Sequence, residues 1–249
     1  MHRFFVSTSA VSKGLATLPE ASADQVRRVF RMRPGSEIAV FDGSGTEWPA
    51  VLETVSGGSV TARLGEARYP ATEPDVTVTV CQAMFKPDLF EFVLQKCTEL
   101  GAYAFVPLLT ARVQGVDGAM PSETRMTRWR KIIQEAAEQS GRVRVPELTA
   151  PRTLADIVRE QVSRGPVIVL WEVQERRTLK SVLNILAATK TVEHIALVIG
   201  PAGGLELSEV VAAEQAGAIV AGMGRRVLRA ETAAIAAIAA TLYEFGEMG

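Results

Sequence analysis

Ile195-Ala196-Leu197-Val198-Ile199-Gly200-Pro201-Ala202-Gly203-Gly204 is an apolar run that ends in a glycine-rich turn, and a helical pattern begins at about Ser208. An aliphatic run without polar alternation fits a strand covered on both faces, as in parallel sheets flanked by helices. A buried strand, a glycine turn and then a helix is where α/β proteins receive nucleotides and cofactors. Residues lacking Cβ let the backbone approach the ligand and present its N–H groups. The same turn also serves as an ordinary tight connection. No Lys-Ser/Thr pair follows, so it is not a Walker phosphate loop, and it does not match GxGxxG. A ligand with a backbone-read adenosine and no phosphates suits it better.

Outward from this stretch the chain alternates strands and helices. Val76–Cys81, Ala104–Leu109, Val167–Trp171, Ile195–Ile199 and Ala218–Ala221 read as strands; Asp88–Leu100, Ser122–Gln139, Thr178–Ala188, Ser208–Gln215 and Ala230–Phe245 read as helices. The pattern predicts an α/β domain with a mostly parallel sheet. Before residue 72 the character differs. Glu37–Asp42 and Glu47–Thr54 carry β-type residues around the turn Asp42-Gly43-Ser44-Gly45, and Ser22–Met32 places Val26, Val29 and Phe30 at helical spacing. The linker-like Tyr69-Pro70-Ala71-Thr72-Glu73-Pro74 sets a boundary, giving domains 1–72 and 73–249.

A second glycine turn, Gly222-Met223-Gly224-Arg225-Arg226-Val227-Leu228-Arg229, opens onto the apolar helix that starts Ala230-Glu231-Thr232. Arginines there oppose the helix dipole, and such a cost points to a use. The bland alternative leaves Arg225 and Arg226 solvated and Arg229 paired with Glu231 or another acid.

Composition narrows the function classes. Of 249 residues, 47% are hydrophobic, which argues for a packed core rather than disorder. The longest apolar candidate, Ala233 to Leu242, is too short for a membrane span. The opening MHRFFVSTSAV carries no export pattern, so a cytoplasmic protein is expected. Cys81 and Cys97, with only His2 and His194, support neither a disulfide framework nor a zinc cluster, and no metal is expected. The balance of 27 basic and 28 acidic residues hides a segregation. Gln25–Ser36 holds Arg27, Arg28, Arg31 and Arg33 without an acid, and Arg112–Arg144 is also basic on balance. Local basic surfaces of this kind can neutralise phosphates.

The ordered set MHRFF, FDGSG, QKCTELG, EAAEQSGR, IGPAGG and GRRVLRAETA resembles the RsmE family over nearly the whole chain. The resemblance implies an N-terminal PUA-like β-barrel that binds RNA. It also implies a C-terminal α/β domain of SPOUT type with a deep trefoil knot, which no connection rule would propose. It further implies a homodimer that methylates uridine N3 in 16S ribosomal RNA of the small subunit, using S-adenosyl-L-methionine. By position, the cofactor residues are Leu170, Trp171, Ile199, Gly200, Gly203, Gly204, Met223, Gly224, Val227, Leu228 and Thr232. Arg229 would stabilise charge developing on the base, and Glu231 is the nominee for taking the N3 proton. This chemistry needs no Cys adduct, and both cysteines read as small apolar fillers. RNA contacts are expected from Arg3, Arg27, Arg28, Arg31, Arg33, Lys96, Arg112, Gln139 and Arg142. The chain departs from the family pattern at Ala202, where a glutamate is usual, and at Leu205-Glu206, where Phe-Ser is usual. The alternatives are another SPOUT enzyme acting on a ribose 2′-hydroxyl, and a catalytically silent RNA-binding assembly factor.

Overall fold

Phe4, Val6, Ala16, Ile38, Val40, Leu52, Val60 and Ala62 are buried together and form the core beneath a six-stranded sheet. The computed structural model describes residues 1–112 and 120–248, and the chain divides into two units. The first comprises Met1–Glu73 and Gln134–Val145, so it takes in a segment that the sequence boundary at 72 leaves to the second. Its strands are β1 (His2–Phe5), β2 (Val11–Ser12), β3 (Leu15–Thr17), β4 (Glu37–Phe41), β5 (Glu47–Val55) and β6 (Val60–Leu64). They run in the order β1-β4-β5-β6-β3-β2, with only β1 and β4 parallel.

The helix expected over Ser22–Met32 is instead α1 (Glu20–Asp24) followed by a five-residue π-helical turn, Gln25–Val29. Phe30 N–H donates to Gln25 O at 2.8 Å, and Met32 N–H to Val26 O at 2.9 Å. The wider turn seats Val26 in the core and leaves Val29 68% exposed, so helical spacing misjudged which side chains share a face.

The opening residues and the EAAEQSGR motif belong together within this unit. Arg3 pairs with Glu47 at 2.6 Å and donates to the carbonyls of Ala137, Glu138 and Arg142, while Glu138 Oε1 accepts Phe5 N–H at 2.9 Å. Burial pushes the Glu138 carboxyl up from its ordinary value, against the lowering effect of these hydrogen bonds.

The second unit holds β7 (Thr77–Ala83), α2 (Pro87–Leu100), β8 (Ala104–Leu109), the first part of α3 (Glu123–Ser140), β9 (Glu147–Leu148), β10 (Arg152–Thr153), α4 (Leu154–Gln161), β11 (Val167–Leu170), α5 (Leu179–Thr189), β12 (His194–Ile199), α6 (Leu207–Gln215), β13 (Ile219–Ala221) and α7 (Ala230–Glu244). All pairs of its seven-stranded sheet are parallel, in the order β10-β8-β7-β12-β11-β13 with β9 beside β8. Every residue of β12 is buried, as the apolar run Ile195–Ile199 requires.

Leu154, Ile157, Val158, Val210 and Ala213 carry α4 and α6 onto one core cluster. Helix α7 packs on α2 and α5 and against β7 and β12. Its Ala234 and Ala237 are fully buried, and their small side chains allow that close approach. Helix α4 is absent from the sequence reading although its signals are present. Thr153 accepts Asp156 N–H at 3.2 Å as N-cap, and Leu154, Ile157, Val158 and Gln161 make the buried stripe.

Candidate cofactor and active site

Leu170, the last residue of β11, lies in register with Ile199 of β12 on one side and Ala221 of β13 on the other. The turns that leave these strands therefore emerge side by side at the carboxyl edge of the sheet, where open α/β folds bind ligands. They line a cavity of about 520 Å³, within the range of small-molecule sites.

The first turn is set by its glycines. Gly204 N–H donates to Pro201 O at 2.8 Å, and Gly204 has φ +73°, a left-handed conformation that disfavours side chains. A Cβ on Gly204 would stand 2.2 Å from Glu172 Oε1, so the missing side chain makes room for that carboxylate. A Cβ on Gly200 would lie 3.0 Å from Cγ of buried Leu205. Helix α6 then starts in a capping box, with Glu206 N–H donating to Glu209 Oε2 at 3.0 Å. Leu205-Glu206, the second departure from the family pattern, thus supplies a buried apolar residue and a helix cap.

The second turn is fixed by backbone contacts. Gly222 N–H donates to Arg177 O and Leu179 N–H donates to Gly222 O, both at 2.8 Å, while Trp171 N–H donates to Ala221 O at 3.0 Å. The residues after β13 are thereby held against the loop that follows β11. Arg229 is the N-cap residue of α7 but makes no capping hydrogen bond through its side chain. Among the described residues no ion pair engages Arg225, Arg226 or Arg229, so the bland pairing of Arg229 with Glu231 does not form. Glu231 lies in the first turn of α7, where the helix dipole favours an acid.

Leu170, Trp171, Ile199, Gly200, Gly204, Met223, Gly224, Val227, Leu228, Arg229 and Glu231 all line the cavity. Gly203 and Thr232 do not. Gly203 is exposed and accepts a hydrogen bond from Arg112, and Thr232 is exposed on α7. Sequence reasoning missed Phe85, Lys86 and Leu89, which also line the cavity from the end of β7 and the start of α2. Their signal is position alone, at the carboxyl end of a strand neighbouring β12. It also missed Glu172, one residue past Trp171.

The cationic residues expected to meet RNA divide by environment. Arg142 is 4% exposed and pairs with Glu73 at 2.6 Å, and Arg3 is held by Glu47 and three carbonyls. Arg27 is bound by Glu20 and by Asp24. The guanidinium groups of Arg3, Arg27 and Arg142 are thus engaged within their own unit. Lys96 pairs with Glu99 at 2.8 Å. Arg28 is 80% exposed on its side chain, and Arg31, Arg33, Arg112 and Gln139 are exposed. Cys81 and Cys97 are fully buried, and burial pushes both thiols well above their ordinary value.

Among the described residues no helix is long and apolar enough to cross a membrane, and no group of three or more His, Cys, Asp or Glu is placed to hold a metal. Residues 72–242 match the family model described as RNA methyltransferase domain, and residues 26–65 match RNA methyltransferase PUA domain. Ribosomal RNA small subunit methyltransferase E from Mycobacterium bovis is 35% identical over 95% of this chain and 89% of its own. The protein of that name from Synechocystis is 34% identical over 96% of this chain and 76% of its own. The crystal structure of Ribosomal RNA small subunit methyltransferase E from Neisseria gonorrhoeae bound to S-adenosyl methionine is 28% identical, with a TM-score of 0.86 over 98% of this chain and 97% of that one.

Proposed function

Because the chain belongs to the RNA methyltransferase family, with relatives named Ribosomal RNA small subunit methyltransferase E, we propose that it methylates N3 of a uridine in 16S ribosomal RNA using S-adenosylmethionine. The observation that carries this reading is the cavity built from the turns after β11, β12 and β13, with the unpaired Arg229 in its wall. The cavity suits this cofactor by its own chemistry. Gly200 and Gly204 let the turn close on Leu205 and Glu172; Leu170, Trp171, Met223, Val227 and Leu228 offer apolar walls for a base, and Glu172 adds an acceptor.

S-adenosylmethionine, when bound, would supply an electrophilic methyl carbon whose bond to sulfur breaks with the electron pair left on sulfur as a neutral thioether. Uridine N3 must lose its proton before it can attack, and negative charge then spreads over N3, O2 and O4. Arg229 stabilises that charge as it develops, with its guanidinium committed to no carboxylate. Glu231, in the same cavity wall, accepts the N3 proton directly or through water. The walls supply the remaining rate by holding N3 in line with the methyl group. Exposed Arg28, Arg31, Arg33 and Gln139 serve RNA binding, and Arg3, Arg27 and Arg142 leave that set.

The same reading includes a PUA-like barrel in the first unit, a trefoil knot in the second, a homodimer and a cytoplasmic site of action. The knot rests on membership of this family. Calorimetric titration with S-adenosylmethionine tests the cofactor, and turnover of Arg229→Ala tests the mechanism. Binding is expected for both forms, with turnover of the variant down about a hundredfold, the scale of losing one group that stabilises developing charge. A wild-type chain that binds no S-adenosylmethionine contradicts the reading.

A further inference from the structure

Arg112 stands just past β8, where its charge suggests an RNA contact, yet its side chain turns onto the glycine turn. The guanidinium Nη1 donates to Gly203 O, and Cδ lies 3.7 Å from the place a Cβ on Gly203 would occupy. The carbonyl of Gly203 and the N–H of Gly204 belong to the same peptide group, and that N–H donates to Pro201 O at 2.8 Å. Both ends of this one peptide are therefore pinned, one by the turn itself and one by Arg112. A Gly-Gly peptide is the link in the turn most free to rotate, because neither residue has a side chain to restrict it. Rotation would break both hydrogen bonds and move Gly204, which lines the cavity, away from φ +73°.

Arg112 is itself held in place. Glu209 in the first turn of α6 accepts Ala111 N–H through Oε1 and Glu206 N–H through Oε2, each at 3.0 Å. One carboxylate thus ties residue 111 to the helix that follows the glycine turn, and presents the next residue to Gly203.

We infer that Arg112 is a positioning residue for the cofactor turn, fixing the Gly203–Gly204 peptide in the orientation that S-adenosylmethionine requires, and is not an RNA contact. The inference rests on reading the cavity as the S-adenosylmethionine site. Arg112 is exposed, so its removal leaves the core intact, and melting midpoints verify folding. Calorimetric titration of the full chain with S-adenosylmethionine should give Arg112→Ala a Kd roughly tenfold above wild type, the scale of one hydrogen bond from a charged donor. Arg112→Lys, which keeps a cationic donor, should recover part of the loss. KM for S-adenosylmethionine should rise more than kcat falls, and affinity for transcribed 16S ribosomal RNA should stay within twofold. Without cofactor, exchange of the Gly204 amide proton, followed by NMR, should be several-fold faster in Arg112→Ala. Unchanged exchange, unchanged cofactor affinity, or a loss of RNA affinity larger than the loss of cofactor affinity would each overturn the inference. Wild-type chain that binds no S-adenosylmethionine removes the underlying reading as well, whereas normal wild-type binding with an indifferent Arg112→Ala removes this inference alone.

Discussion

Replacing Gly222 with alanine strikes the contact that places the second turn against the loop after β11. A Cβ at this position would stand 2.0 Å from Gln174 O and 3.2 Å from Gln174 C, both backbone atoms that no rotamer change can move. Relief requires the backbone to separate, which breaks the hydrogen bonds from Gly222 N–H to Arg177 O and from Leu179 N–H to Gly222 O. At about 0.5–1.5 kcal/mol net each, their loss costs about 1–3 kcal/mol. Overpacking adds about 1–3 kcal/mol. A total of roughly 2–6 kcal/mol in a chain of this size lowers the melting midpoint by about 4–24 °C. Met223 and Gly224 line the cavity, so affinity for S-adenosylmethionine should fall with it. Thermal unfolding followed by circular dichroism, with calorimetric titration at a temperature where both forms are folded, measures the two effects. Gly203→Ala is the control: Gly203 is outside the left-handed region and an added Cβ meets only Arg112 Cδ at 3.7 Å, so its midpoint should stay within about 2 °C. A Gly222→Ala midpoint equally close to wild type would refute the reasoning.

Further expectations concern charge and thiols. Burial, and secondarily Arg164, push His194 down to about 4, so between pH 6.5 and 4 the unfolded chain takes a proton that the folded chain resists. Stability should fall with pH across that window, by up to about 1.4 kcal/mol per pH unit from this group. Urea unfolding at pH 7, 6 and 5 should show a shallower decline in His194→Gln, and identical slopes would dismiss the effect. Iodoacetamide should label neither buried cysteine in the native protein nor reduce turnover; rapid inactivation would contradict both their burial and a mechanism without a thiol. Arg31→Ala/Arg33→Ala should weaken RNA binding and flatten its logarithmic salt dependence by about 1.5, and an unchanged slope would remove these residues from the interface.

Strands β7, β8, β11, β12 and β13 were legible because each is a mainly apolar run too short for a helix and bounded by turn residues, whereas the two-residue β9 and the polar, exposed β10 carry no such signal. The cofactor turns were legible because glycines cluster where such strands end. What escaped depends on partners distant in sequence. Arg3 meets Glu47, and Arg142 meets Glu73, so side chains that read as RNA-facing cations turned out to be internal ion pairs. Glu172 became visible only when the fold placed its carboxylate against Gly204. The π-helical turn at Gln25–Val29 defeated spacing, since an extra residue per turn moves Val29 off the buried face. Helix α4 carries its signals in the open, a capping Thr153 with Asp156 three residues on and a buried stripe behind them.

The central claim is the atom that receives the methyl group. Small ribosomal particles from a strain deleted for the modification, incubated with the purified protein and methyl-labelled S-adenosylmethionine, can be digested and mapped by mass spectrometry. Label is expected on N3 of a uridine in 16S ribosomal RNA, appearing about a hundredfold more slowly with Arg229→Ala. Label on another base or on ribose alone, or none with active cofactor binding, would contradict the claim.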